Sequence, residues 1–321
     1  MSKKVIFIVL FLVIIGTSLS FIYLISLFFR NDRYLRRIEF NINSVVIDDF
    51  AYWLQNLNIE TIRNSKYDLI IMDYSLDGNE TGEFIFSEVN YMKSVEDREK
   101  FLISYISIGE AENYRFYWNK SWDANYDGIP DINAPSWLDI ENPEWEGNYK
   151  VKFWMIEWQQ IIFDYLDRIV KAGFDGIYMD IIDAYEYYQG IIPKSNWKMI
   201  DFVGNISNYV KNQAGENFSV FVQNADELLL NSTYLTYING IGREDLFYFD
   251  NIPTNDSWRN EGISNLNKAI TNDKIVLIID YPQLSSLKYD FYRNCINYGF
   301  LGYATDRELD VLKQYDLYPP T

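Results

Sequence analysis

A set of carboxylates stands where apolar runs end. Asp73 closes "IMDY", Glu110 "SIGE", Asp180 "YMD", Asp280 "IIDY" and Asp306 "ATD"; Glu227 lies in "VQNADELL" and Glu244 in "INGIGREDLFY". Asp180 is the sharpest case, because it sits inside the apolar run Ile177–Ile182 with Asp183 just beyond. Burying an unpaired carboxylate is costly, so Asp180 needs either a structural partner or a chemical task. One acid at one strand end means little, since Asp is common in turns. Acids ending five or more separate strands are harder to dismiss. The chain contains no histidine, which excludes His-based triads, His-metal sites and His proton shuttles. Acid–base work is left to carboxylates, Tyr, Lys and the lone Cys295. Without a metal-ligand cluster either, paired carboxylates point to glycoside hydrolysis, in which one acid serves as nucleophile or base and another donates a proton.

For these acids to meet, the elements that carry them must share one end of a fold. The runs "VVIDDFAYWL", "YDLIIMDY", "FLISYISIGE", "DGIYMD", "SVFVQNA", "LFYFD", "KIVLIIDY" and "FLGYATD" read as about eight strands. They are short and unbroken rather than alternating, as in a parallel sheet buried on both faces. Helical patterns lie between several of them. Trp158, Ile161, Ile162, Tyr165, Leu166 and Ile169 form one face before Gly173, and Ile200, Val203, Ile206 and Val210 another before Gly215. Strand–helix alternation over residues 46–321 predicts an α/β fold, a (β/α)8 TIM-type barrel, whose strand C-termini deliver side chains to one mouth. A doubly wound sheet is the alternative; its nucleotide-binding versions lack their signature here, since there is no G-x-G-x-x-G after the first strand and no P-loop.

The segments "YISIGEAENYRFYW", "GFDGIYMDIIDAYEYY", "VQNADELL", "GREDLFY" and "IIDYP" resemble the endo-α-1,4-polygalactosaminidase family of glycoside hydrolases and its archaeal and bacterial relatives. The resemblance runs over about residues 46–310. It implies a TIM-type barrel and hydrolysis of α-1,4-linked polymers containing galactosamine or N-acetylgalactosamine. It also implies roles: Asp180, ending the fourth strand, as nucleophile, and Glu244, in the sixth-strand segment, as general acid/base. Fungal members carry Asn–Glu where this chain has Arg243–Glu244. Glu227 is the competing second acid. Asp73, Tyr74, Glu110, Asp183, Asn224, Glu227, Asp280 and Tyr281 fall in mouth-facing motifs and are expected to hold sugar hydroxyls or an ammonium; for each singly, a cap or a structural hydrogen bond is the bland alternative. If the roles hold, Glu244 should lie in the less polar setting that raises its pKa, and Asp180 should accept hydrogen bonds that keep it ionised.

Composition narrows the partners. A net charge of −18 argues against nucleic acid and suits a neutral or cationic partner such as a deacetylated amino sugar. The 27 Tyr and 9 Trp fill cores and also stack on sugar rings. No cofactor is expected. "DANYDGIPD" sets Asp123, Asn125, Asp127, Gly128 and Asp131 in a calcium-loop pattern, but Ala134 stands where a bidentate Glu belongs; a turn-rich loop without an obligatory metal is expected. A barrel that binds envelope polysaccharide without cleaving it is the rival function, and a correctly placed acid pair discriminates the two.

Val5 to Phe29 is almost wholly apolar between Lys3–Lys4 and Arg30, Arg33, Arg36 and Arg37. It is long enough to cross a bilayer, and residues 1–30 are read as a signal-anchor transmembrane helix, with 31–45 as a stem. Counting Lys and Arg alone places the domain in the cytoplasm. The sugar-directed function and six N-x-S/T sequons favour a membrane-anchored, extracytoplasmic domain, which is the expectation adopted.

Overall fold

The computed structural model describes residues 38–42, 45–95 and 98–314. The proposed anchor lies outside them; among the described residues no helix is long and apolar enough to cross a membrane.

Eight parallel strands make one sheet: β1 (Phe50–Tyr52), β2 (Leu69–Met72), β3 (Phe101–Ser107), β4 (Gly176–Asp180), β5 (Ser219–Gln223), β6 (Gly240–Glu244), β7 (Ile275–Asp280) and β8 (Leu301–Ala304). Each pairs with its neighbour in chain order. The sheet curls until β8 returns to β1. The Phe50 and Tyr303 rings pack with centroids 5.8 Å apart, and the Leu54 and Gln55 N–H groups both donate to the Leu309 carbonyl, at 3.0 and 3.1 Å. The result is a nearly closed α/β barrel.

Helices cover its outside: α1 (Ile59–Asn64), α2 (Phe86–Lys93), α3 (Ile156–Ala172), α4 (Ser195–Ala214), α5 (Ser232–Tyr237), α6 (Asp256–Ile270) and α7 (Ser285–Tyr298). With helices outside and side chains filling the inside, β2, β3, β5 and β7 are buried along their whole length, which is why they read as unbroken apolar runs. The predicted stripe of α3 is buried except for half-buried Ile161, and that of α4 is buried throughout. Each helix stops at its glycine, Gly173 at φ +89° and Gly215 at φ +94°, where a side chain would be strained.

Two elements differ from the sequence expectation. The sixth strand is Gly240–Glu244, the segment that the resemblance marked, not the apolar run "LFYFD"; Tyr248–Phe249 forms a two-residue hairpin with Ile252–Pro253 instead. Glycine-rich β6 lacks strand propensity because barrel packing requires its glycines. A Cβ at Gly242 would lie 1.7 Å from the Tyr178 hydroxyl, and one at Gly240 2.3 Å from the Phe221 ring. Similarly, only Phe50–Tyr52 of "VVIDDFAYWL" enters the barrel, while Val45–Ile47 pairs antiparallel with Phe40–Ile42.

The β3–α3 connection is the long one. It carries a three-stranded antiparallel sheet, with Asn148–Val151 between Glu110–Glu112 and Leu138–Glu141, standing beside the mouth at the C-terminal ends of the strands.

Candidate active site

The mouth holds a cavity of about 1020 Å³, whose lining includes Tyr52, Asp73, Tyr105, Glu110, Asp180, Asp183, Asn224, Glu244 and Tyr281. Asp180 and Glu244 lie in it together. Asp180 ends β4 and accepts two hydrogen bonds, from the Tyr105 hydroxyl on β3 (3.0 Å) and from the Ile181 N–H (2.7 Å). Glu244 ends β6. Its Oε2 accepts from the Gln223 amide of β5 at 2.6 Å, and its Oε1 accepts from the Tyr281 hydroxyl. Gln223 in turn accepts from Tyr52 on β1 at 3.0 Å. Side chains on β3, β5 and just past β7 therefore hold the two carboxyls by hydrogen bonds, and Tyr52 on β1 braces Gln223 behind them.

The backbone at these strand ends is strained. Ile181 has φ +57°, Asn224 +59°, Ala225 +51° and Asp245 +53°. A positive φ is unfavourable for non-glycine residues, most of all for a β-branched one, and such strain clusters at functional sites. Close approach also matters here: a Cβ at Gly109 would fall 2.1 Å from the Ile181 carbonyl oxygen.

Burial first, and then the charge of Glu244, push the Asp180 carboxyl well above its ordinary range, against the N–H and phenol donors that favour its ionised form. Glu244 is also raised, by burial first, with the Tyr281 hydrogen bond opposing. The expected elevation of Glu244 is present. The expectation that hydrogen bonds would keep Asp180 low is corrected: two donors do not offset full burial beside a second carboxyl. Because the charge of each opposes that of the other, the pair resists double ionisation. Burial, reinforced by these carboxylates, raises the phenols of Tyr52, Tyr105 and Tyr281, so they stay protonated as O–H donors.

The remaining sequence candidates divide. Glu110 is 4% exposed; its Oε1 accepts from Asn142 Nδ2 at 2.9 Å, and its Oε2 has no hydrogen-bond partner. Burial raises its pKa to about 7, with Lys150 opposing. Asp183 heads the turn Ala184–Tyr187 and is raised, first by burial and then by Glu186. Asn224 accepts from the Glu244 N–H (3.1 Å) and from Arg243 (3.2 Å). Asp73 lines the mouth but is engaged with buried Arg115 at 2.8 Å, which also pairs with Glu112 at 2.6 Å.

Three candidates do not face the cavity. Tyr74 turns outward and packs on Tyr165 of α3, centroids 4.6 Å apart. Asp280 is fully buried and accepts the N–H groups of Leu246, Phe247 and Tyr248 at 2.8–2.9 Å; the chain after β6 needs this clasp. Glu227 is exposed on a 3-10 turn (Asp226–Leu230) after β5. Arg243, next to Glu244 but on the opposite side of its strand, pairs with Asp226 at 3.0 Å and lies over the Trp258 ring; it is not part of the cavity wall.

Sequence reasoning did not single out Tyr52, Tyr105 or Gln223. Period-two spacing offered one signal, since Tyr105 and Ser107 share a strand side and face the neighbouring strand that ends in Asp180. In the loop "DANYDGIPD", Asp123 accepts from the Tyr149 hydroxyl (2.6 Å) and from the Gly128 and Asp127 N–H groups (3.0 and 3.2 Å), and Asp131 accepts from the Ala124 N–H (2.8 Å). Its carboxylates brace its own turns.

Comparison with known proteins places this chain in a family. The model of glycoside-hydrolase family GH114 matches residues 46–318. An uncharacterized protein of Methanocaldococcus jannaschii is 39% identical over 301 residues, covering 89% of this chain and 84% of the relative. One from Thermotoga maritima is 34% identical over 289 residues, covering 85% and 86%. Among solved structures, Aspergillus fumigatus Ega3 in complex with galactosamine aligns with a TM-score of 0.58 at 18% identity, covering 82% of this chain and 92% of that one. The glycoside hydrolase domain of PelA from Pseudomonas aeruginosa gives 0.58 at 13% identity, covering 83% and 97%. At those identities the likeness is one of fold. The family match and the two close relatives agree with the motifs: this chain belongs to glycoside-hydrolase family GH114.

Proposed function

We propose that the protein is an endo-acting glycoside hydrolase that cleaves α-1,4-linked galactosamine or N-acetylgalactosamine polymers with Asp180 and Glu244. One observation carries the reading: two carboxyl residues from different strands line one mouth, electrically coupled and each bonded by a donor from another strand. Asp180, ionised, meets the anomeric carbon as the glycosidic bond breaks. Glu244, protonated, gives its proton to the leaving oxygen, and a water molecule completes the hydrolysis. Oxocarbenium character and any ammonium on the sugar place positive charge beside Asp180, which favours its ionised form.

The substrate class follows from charge. The cavity wall carries ten carboxylates against three cations. Arg115 is already paired with Asp73 and Glu112, and Arg307 with Asp245 and Asp250. Such a wall favours a cationic amino sugar, and Ega3, which shares the fold, was solved with galactosamine. The test offers the full-length protein α-1,4-linked galactosamine polymer, its N-acetylated form and a β-linked glucosamine polymer. New reducing ends are expected from the α-linked polymers. Cleavage of the β-linked polymer alone would overturn the assignment.

A further inference from the structure

We propose that Trp145 and Glu110, joined through Asn142, form an outer sugar subsite on the β3 side of the mouth, which takes a hexosamine unit of the polymer beyond the scissile bond. The proposal rests on the hydrolase reading above and adds to it where the chain lies.

Trp145 is 58% exposed and lines the cavity. It is not on a loose loop. Its N–H donates to the Asn142 carbonyl and its own carbonyl accepts from the Asn148 N–H, both at 3.1 Å. The Asn142 N–H returns to the Asn148 carbonyl at 2.7 Å, and the Gly147 N–H donates to Glu141 Oε1 at 2.6 Å. The turn's backbone thus fixes where this large flat side chain leaves the mouth wall, open to solvent. An aromatic side chain with only two rotatable bonds loses little freedom on binding and suits the apolar face of a sugar.

At the foot of the same turn Asn142 donates to Glu110 Oε1 at 2.9 Å, while Glu110 Oε2 is buried without a partner in a residue that forms part of the cavity wall. A buried acceptor left without a donor is costly, and a ligand hydroxyl or ammonium supplies what this one lacks. Tyr187, 42% exposed, extends the aromatic surface on the β4 side, with the Lys150 ammonium 5.2 Å from its ring. The opposite wall, formed by residues 54–56 and 307–309, carries no aromatic side chain. The mouth is therefore lopsided, and the polymer runs toward the β3 insertion.

The experiment measures kcat/KM of the full-length protein on α-1,4-galactosamine oligomers of three to twelve units, for wild type, Trp145→Ala, Trp145→Phe and Glu110→Gln. The loss in Trp145→Ala is expected to grow with length, reaching about tenfold on the longer oligomers, the scale of one aromatic contact. Trp145→Phe should recover most of it, and Glu110→Gln should show the same length dependence. A loss equal at every length, or no loss, overturns the subsite. If wild type cleaves none of these oligomers, the hydrolase reading has failed, and calorimetric titration with the same oligomers decides the subsite. Binding weakened about tenfold by Trp145→Ala supports it, and equal affinities or no binding by wild type overturns it.

Discussion

Gln223 shows how the site works at the scale of single residues. Its amide accepts from Tyr52 and donates to Glu244, so it fixes the orientation of a carboxyl it does not resemble chemically. Gln223→Leu removes a donor that favours ionised Glu244. The pKa of Glu244 should rise further, the alkaline limb of the pH–rate profile should move up, and kcat should fall about 10–100-fold with KM little changed, as measured on the galactosamine polymer. Asp180→Asn and Glu244→Gln should each lower kcat by about 10³-fold or more, because the proposed mechanism uses each group in the transition state. Both carboxyls are raised above their ordinary range, so their ionised forms oppose folding. The amide variants should therefore melt no lower than wild type at pH 8, as read by calorimetry. Asp180 stood out in the sequence because an acid is conspicuous at the end of an apolar run, whereas Glu244, in a glycine-rich segment, was marked only by the family resemblance. Tyr52 and Tyr105 did not stand out among 27 tyrosines, because only the barrel selects the ones that face inward. Asp280 carries the same sequence signature as Asp180 yet clasps three N–H groups. What separates the two is the path of the chain after β6, which is a tertiary fact.

The strand ends are where local rules yield to the site. β4, β5 and β6 each leave the barrel through residues with left-handed backbone, and this turns Asp180, Asn224 and Glu244 into one mouth. Asp280→Ala would strand three buried N–H groups beside that turn. A loss of about 3 kcal/mol is expected in chemical denaturation, given the penalty for buried unpaired donors. Activity should fall too, since the clasped residues 246–248 follow Glu244 directly. Gly242→Ala would drive a methyl group into the Tyr178 hydroxyl and should destabilise by about 1–3 kcal/mol, the usual range for overpacking. Seven of the eight strands were recognisable from apolar runs. The sixth was not, because its glycines look like a loop until Tyr178 and Phe221 are seen to need their space. The β3 insertion was missed although Leu138–Glu141 and Asn148–Val151 alternate apolar and polar residues, because runs of four are too short to stand out.

Charge dominates the behaviour of the whole molecule. Burial raises Asp73 to about 6, Glu110 to about 7 and Asp280 to about 8. Folded-state values above those of the unfolded chain mean that the folded protein holds these protons more tightly. The stability they contribute is full below about pH 4 and is lost as pH rises through 6 to 8. The surplus of negative charge acts in the same direction. The melting temperature should therefore rise between pH 8 and pH 5; a flat or falling trend would show these acids to be ionised in the fold. Residues 5–29 lie outside the described residues, and we propose a membrane anchor with an extracytoplasmic domain from their composition and the sugar-directed site. The protein should fractionate with membranes, and protease added to intact spheroplasts should remove the domain; protection until lysis would place it in the cytoplasm. The proposed task of the acidic mouth is to cut an amino-sugar polymer rather than to hold it. The most direct measurement follows chain length and reducing ends when full-length protein meets α-1,4-linked polygalactosamine. An early fall in chain length with matching new reducing ends is expected. Polymer that binds to the protein and stays intact would contradict it and leave a binding barrel.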